Sequence, residues 1–412
     1  MTTQAFFIRP GVILRLHEGP LAPYVDIYAS QLFDQGFSHS KARHNIRLFA
    51  DFSRWLQRMR IDPKNLDEST LDRYRKYRER TRPLVGGDRL ALHNFLKLFR
   101  EIGVSPPPKA IKPGLCDLIG EEFRSYLHQE IGLSDKTLEL YSEIIRAFIQ
   151  NKMHSSSPEW SSLTGAYILK FSQKLAKRHS PQYMQRFRTA LRSFLRFLHY
   201  SGKIPSDLSA SIPSVAKVQL ATIPKFLTES QVQKVISCCD RNTKIGKRDY
   251  VILLLLSRLG LRAMEVATLS LDDIDWQSGL FTFYAKGNER VSMPLPMEIG
   301  EALVDYLKNG RPISSSRRLF IRHNAPHTAF SSPDAISGIV RAALDRACVN
   351  SQTKGAHQFR HALASQMLSN GASLTQIGHL LRHRRPDTTM IYTKFDIANL
   401  RLVALPWPEE LL

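Results

Sequence analysis

The chain has 412 residues, 43% hydrophobic and 23% charged, a balance that fits folded domains and excludes wholesale disorder. Lysine and arginine number 58 against 37 acids, a formal charge of +21 whose field suits a polyanion, nucleic acid before an anionic membrane surface. The longest apolar run, Tyr250 to Leu256, is far short of the ~20 residues a spanning helix needs, and no basic stretch precedes an apolar core at the N-terminus. No membrane association and no signal peptide are therefore expected. The four cysteines, Cys116, Cys238, Cys239 and Cys348, show no C-x-x-C spacing; Cys239 sits at an apolar helical position, and a reducing cytoplasm fits them best.

In chain order, Gly36 to Phe52 comes first, with a glycine and a serine ahead of a helical period through Ile46, Phe49 and Phe52. A second amphipathic helix, Leu92 to Gly103, closes this segment. Gly103 to Leu115 is rich in proline and reads as an extended spacer. Gly132 to Phe148 then repeats the first pattern, with Gly132 standing 96 residues after Gly36, and Leu191 to Gly202 repeats its closing helix. A serine- and proline-rich stretch, Lys203 to Phe226, forms the second connection. The expected organisation is an N-terminal helical domain over 1–105, resembling a second copy of a helical domain over 112–210, followed by a mixed domain over 222–412. The fold class expected is mainly α with a small antiparallel sheet.

The mixed domain opens at a capping box, Thr228 to Gln231, ahead of a helix facing inward through Val232, Val235, Ile236 and Cys239. A buried helix follows over Tyr250 to Leu259 and stops at Gly260. Leu280 to Pro296 alternates and turns at Gly287–Asn288, a hairpin signal. Helices are expected over Met297 to Asn309 and Asp334 to Val349, the latter begun by Ser332 and Pro333, and again from His357 with breaks at Gly371 and Pro386.

Chemically suggestive residues gather here. Arg262 follows the glycine stop with Glu265 three residues on; Lys286 lies at the hairpin tip, with Arg290 competing for its role; His357 and Arg360 share a helical face; His383 and Tyr392 lie nine apart across a proline. This set has cations, proton carriers and one phenol, and no acidic cluster to hold a divalent ion. Phosphoryl transfer needs a nucleophile, charge neutralisation on phosphate oxygens and a proton for the leaving group. Two guanidinium forks can supply the second, a tyrosine the first, and a hairpin lysine the third. His357 and His383 can handle the phenol proton or hydrogen-bond the phosphate. The pairs His357/His361 and His379/His383 also have a zinc-compatible spacing, but no further ligand accompanies them, and His361 and His379 are assigned structural places. Beside Tyr392, Met390 and Ile391 are the expected core contacts.

These boxes, in this order, resemble the tyrosine recombinase (phage integrase) family, with the pattern falling on Arg262 and Glu265, Lys286, His357 and Arg360, His383 and Tyr392. The resemblance covers most of Phe226 to Lys394 and, more loosely, a DNA-clamping core-binding domain. It implies Tyr392 as nucleophile, a 3′-phosphotyrosyl intermediate, no cofactor or metal, and a homo- or hetero-tetramer on double-stranded DNA recombination sites in a bacterial cytoplasm. One position departs from the pattern: Arg382 stands where the family usually has glycine before the histidine. It is expected to add a phosphate contact, as are Arg384, Arg385 and Lys394. Two other readings remain open, a catalytically silent DNA-binding partner with the same clamp and a type IB topoisomerase.

Overall fold

The computed structural model describes residues 2–108, 114–152, 160, 163–213, 227–285, 289–351, 353–383 and 385–395. Contacts divide the chain into two compact units, one of Met1–Pro107 with Leu220–Leu412 and the other of Pro108–Gln219. The class expected from the sequence holds: helices dominate, with one small antiparallel sheet. Among the described residues no helix is long and apolar enough to cross a membrane.

The first unit begins with helices α1 (Pro10–Leu16), α2 (Val25–Asp34), α3 (His39–Arg58), α4 (Glu68–Thr81) and α5 (Asp88–Glu101). Ser38 caps α3 by accepting from the Lys41 amide, and Asp67 caps α4 by accepting from Thr70, so two orphan helix-end donors are satisfied by side chains. The 3.6-residue period then puts Ile46, Phe49 and Phe52 on one buried face. Phe49 meets Phe95 of α5 edge-on at 5.1 Å, and Tyr28 of α2 stacks on Phe49 at the same separation. This module has its own core. It touches the later part of its unit where the His327 amide donates to the Gln35 carbonyl at 2.9 Å. The next residue, Gly36, has φ +77°, and a Cβ there would lie 2.1 Å from the His327 ring, so both conformation and space call for glycine.

The second unit contains α6 (Leu115–Gln129), α7 (Asp135–Lys152), α8 (Gly165–Ala176) and α9 (Pro181–Tyr200). Thr164 and Ser180 cap the last two. Phe123, Phe148, Phe187 and Phe194 fill its core, all at most 1% exposed.

The rest of the first unit is built around α11 (Lys244–Arg258), which follows α10 (Glu229–Ser237) and precedes α12 (Ala263–Thr268). Thr228 and Gln231 form the capping box the sequence indicates. Val251 to Leu256 are buried on every side of α11, which makes it the axle of this core. Strands β1 (Ile274–Asp275), β2 (Leu280–Ala285) and β3 (Glu289–Pro294) pair antiparallel in that order, with Phe281 opposite Met293 and Phe283 opposite Val291. The hairpin is where the sequence places it, while β1, only two residues long, gives no alternation to read. Helices α13 (Met297–Asp305), α14 (Pro333–Arg346), α15 (His357–Ser369) and α16 (Leu374–Leu380) complete the unit, with Ser332 and Pro333 starting α14 as expected.

After α16 the chain makes two 3₁₀ turns, Pro386–Thr388 and Met390–Phe395. Here the core assignment needs correcting. Met390 is 48% exposed, whereas Tyr392 is 1% exposed and packs with Ala364, Ile377 and Leu381. In a three-residue turn, positions i and i+3 share a face, so Tyr392 goes inward with Thr389 (4% exposed) and Met390 turns out.

Candidate active site

The site forms where three segments meet: the corner from α11 to α12, the first turn of α15, and the loop after α16. Gly260 makes the corner at φ +56° and exposes its carbonyl to the other two segments. Arg360, on α15, donates to that carbonyl at 2.5 Å and, through its other terminal nitrogen, to the Leu381 carbonyl. Its side chain is buried. Burial, then the nearby Arg262 and Arg382 cations, pull the guanidinium down to about 9, so it stays protonated at neutral pH.

Arg262 is the N-cap residue of α12. Glu265 accepts from its backbone amide at 2.8 Å and from Nη1 at 2.7 Å, while Nη2 donates to the Arg382 carbonyl at 3.3 Å. Glu265 is 3% exposed and Arg262 24%, so the carboxylate holds the guanidinium from beneath while leaving one side open. This is not the loose surface pair that i, i+3 spacing alone suggests.

Arg382 is turned inward, contrary to the expectation of a phosphate contact. Its φ of +54° is the left-handed conformation that glycine adopts at no cost. From there its guanidinium, only 10% exposed, donates to Glu265 at 3.1 Å and to the Gly260 carbonyl at 3.3 Å, and lies 5.0 Å from the centre of the Phe283 ring. Glu265 is thus shared by two arginines, one on each side.

Tyr392 has its hydroxyl 2.9 Å from Nδ1 of His361. Burial, then His357 and Arg360, push His361 down to about 4, so the ring is neutral and the phenol donates to it. Burial raises the phenol to about 12. His383 stacks parallel to Tyr392 at 6.3 Å, with Nδ1 2.8 Å from the Thr389 hydroxyl; burial and the Arg360 and Arg262 cations hold it near 4. His357 keeps solvent access and is lowered by burial, then by Arg360 and Arg262. A cavity of about 620 Å³ opens beside this group, bordered by Arg382, His383, Gly378, Thr389, Glu289 and Val291.

The fold therefore gathers Arg262, Glu265, His357, Arg360, His383 and Tyr392 into one electrostatic neighbourhood. Lys286 and Arg384 lie outside the described residues, and so does the side chain of Lys394. Arg385 is exposed, as is Arg290 on β3, the hairpin's other candidate. His361 is the residue that sequence reasoning passed over; its signal was the i, i+4 spacing from His357, which was read for zinc and set aside. Among the described residues no group of three or more His, Cys, Asp or Glu converges to hold a metal ion.

Residues 225–398 match the model of the phage integrase family. Over 413 aligned residues, covering 98% of this chain and 99% of the other, the sequence is 39% identical to integrase/recombinase y4rA of Sinorhizobium fredii (strain NBRC 101917 / NGR234). The chain belongs to the phage integrase family of tyrosine recombinases. The recombinase is also 29% identical to tyrosine recombinase XerD of Listeria innocua serovar 6a, over 69% of its own length and 96% of that protein. In fold it is similar to the XerH site-specific recombinase solved with palindromic difH substrate in a post-cleavage complex, at TM-score 0.55 and 17% identity over 73% of this chain and 99% of that one.

Proposed function

We propose that the recombinase carries out site-specific DNA strand exchange, as an integrase or transposase, through Tyr392. The Tyr392 oxygen forms a bond to a backbone phosphorus as the bond from phosphorus to the 5′ oxygen breaks, leaving a 3′-phosphotyrosyl link and a free 5′-hydroxyl. The phosphodiester energy is kept in the link, so the strand can be rejoined without ATP. Arg262 and Arg360 neutralise the non-bridging oxygens, which is the task a divalent ion performs in other nucleases. His357 and His383, neutral in their surroundings, are assigned to the phosphate and to the phenol proton. Lys286 is assigned to protonate the leaving 5′ oxygen. Arg385 and, with it, Arg384 and Lys394 are assigned to backbone phosphates. Because Tyr392 is buried, attack requires the phenol to leave its packing against Ile377 and Leu381.

The observation that carries this reading is the meeting of Arg262, two residues after Gly260, with Arg360, which donates to the Gly260 carbonyl, in one cluster with Tyr392 and His383. The expected partners are double-stranded recombination sites bound by a homo- or hetero-tetramer in the cytoplasm, on nucleoid DNA. Footprinting on DNA flanking the gene supplies the site. A nicked duplex carrying it should then give a covalent adduct that survives denaturing electrophoresis and is lost in Tyr392→Phe. An adduct that persists in that variant refutes the assignment; binding without any adduct from the unsubstituted chain indicates the silent-partner reading instead.

A further inference from the structure

Two helices of the N-terminal module, α3 and α5, match α7 and α9 of the α6–α9 module in core register. Adding 96 to α3 lands on α7: Phe49 corresponds to Ile145 and Phe52 to Phe148, each at most 1% exposed. Their leading glycines, Gly36 and Gly132, both take the left-handed conformation, at φ +77° and +67°. From α5 to α9 the offset becomes 99, three residues having been added between: Phe95 corresponds to Phe194 and Phe99 to Leu198, all fully buried. The two helices end in one motif. Gly103 and Gly202 have φ +73° and +69°, and the next amides, Val104 and Lys203, donate to the Phe99 and Leu198 carbonyls, both at 2.8 Å. Helical periodicity alone does not reproduce a cap and a core register together.

The likeness extends to charge. Along one side of α9 run the half-buried Arg188 and Arg192, the latter donating to the Ile212 carbonyl at 2.9 Å, and the exposed Arg196 and His199; at the equivalent places on α5 run Arg89, His93, Lys97 and Arg100. This is one stripe at i, i+4, i+8 and i+11, its cations spaced by about 6 Å along the helix. Arg100 is held by Glu68 at 2.8 Å, whereas Arg89 and Lys97 are exposed, the latter with a 3.7 Å surface pair to Glu101 that a phosphate can displace at small cost. The module is more basic than its twin elsewhere as well: Lys41, Arg43 and Arg47 of α3 stand where α7 has Thr137, Glu139 and Glu143.

We infer that the N-terminal module is a second duplex-DNA clamp, which grips the phosphate backbone through the α5 stripe and lengthens the contact made by the recombinase. Its occupant is double-stranded DNA, because a row of cations beside a single exposed apolar side chain of α5, Leu90, complements a regular line of phosphates rather than the apolar centre of a protein face.

The test uses the full chain and a labelled linear duplex of mixed sequence, about 60 base pairs, with affinity followed between about 50 and 200 mM salt. In the double variant Arg89→Glu with Lys97→Glu, the affinity should fall about tenfold or more and the slope of log K against log salt should become shallower by about two. Arg188→Glu with Arg196→Glu should do the same. Should the reversed pair fail to fold, Arg89→Gln with Lys97→Gln carries the test, with a smaller loss of affinity and the same change of slope expected. Unchanged affinity and slope overturn the inference, and so does an altered oligomeric state with unchanged DNA binding, which assigns the stripe to protein contact. Adduct formation through Tyr392 on saturating nicked DNA should persist in the Arg89/Lys97 variants, outside the α6–α9 clamp, which separates failure here from failure of the strand-exchange assignment.

Discussion

Replacing Arg382 by glycine restores the residue usual at this place in the family and separates two opposing contributions. Glycine relieves a left-handed backbone that costs an ordinary residue about 1–2 kcal/mol, though its unfolded-state freedom returns about 0.5–1 kcal/mol of that. The variant also removes the Arg382 Nε, which is buried without a partner in the native packing. Against this stand the bonds to Glu265 at 3.1 Å and to the Gly260 carbonyl at 3.3 Å, and the contact with the Phe283 ring. A hydrogen bond to a charged partner contributes about 1.5–3 kcal/mol and the ring contact about 1 kcal/mol. Neither Glu265 nor Gly260 is orphaned, since Arg262 and Arg360 remain, so the full penalty of a broken buried pair does not apply. The balance is a loss of about 2–4 kcal/mol of stability, and a Glu265 free to turn wholly toward Arg262. The freed Glu265 misaligns Arg262 against the phosphate, and adduct formation should slow by about tenfold at unchanged DNA affinity, which corresponds to ~1.4 kcal/mol of barrier. Arg382→Lys should recover part of the rate, because it keeps a cation beside Glu265. The measurements are a denaturant midpoint and a single-turnover adduct rate. If the glycine variant is as stable as the unsubstituted chain and cleaves as fast, the guanidinium does not position the site.

Arg360→Lys keeps the charge but cannot reach both the Gly260 and Leu381 carbonyls with one planar fork; it should preserve DNA binding and lower the adduct rate by 10²–10³-fold, about 3–4 kcal/mol, in the same single-turnover assay. Gly260→Ala should cost about 2–3 kcal/mol in a denaturant melt, from φ +56° and a Cβ 2.7 Å from a Leu381 methyl, and a thermal midpoint within a degree of the parent's would contradict it. His361 and His383 lie near 4 when folded against an ordinary 6.5, so between those values the unfolded chain binds more protons. Stability is then complete above pH ~6.5 and lost as pH falls toward 4, by at most about 3 kcal/mol for each ring and less where solvent reaches it. Denaturant midpoints measured across that window should fall with pH, and His361→Asn should flatten the curve.

The sequence was most informative where one residue type is tied to one local task. Thr228 with Gln231 marked a helix start, Gly260 a helix stop, and the alternation from Leu280 to Pro296 a hairpin, and each lies where it was read. Arg262, His357, Arg360, His383 and Tyr392 were singled out because the chemistry of phosphoryl transfer restricts which residues can serve it, and the fold brings them near one another. What escaped depends on distance along the chain. Met390 and Ile391 are the expected core contacts beside Tyr392; Ile391 does pack on this cluster, but the chain winds at three residues per turn, so Met390 turns out and Tyr392 takes the inner face. His361 gains its meaning from a tyrosine 31 positions later.

Arg382 shows the limit most clearly, and also why the usual glycine can be replaced at all. A cation in a basic run reads as a phosphate contact because nothing nearby in sequence opposes it. The acid that does oppose it, Glu265, lies 117 positions earlier and is already engaged by Arg262. A single carboxylate between two guanidiniums offers each of them one oxygen: Oε1 to Arg262 Nη1, and Oε2 to Arg382 Nη2 and the Arg262 amide. The left-handed backbone at Arg382 aims its side chain back across the Gly260 corner toward that second oxygen, and its own carbonyl receives Arg262 Nη2 in return. The strain at residue 382 and the second ion pair are therefore coupled: an extended residue there would carry both the guanidinium and the carbonyl away from Arg262. A short side chain could keep the backbone but would leave Oε2 to the amide alone. In this recombinase, arginine at that position links the strained loop to the carboxylate that orients Arg262.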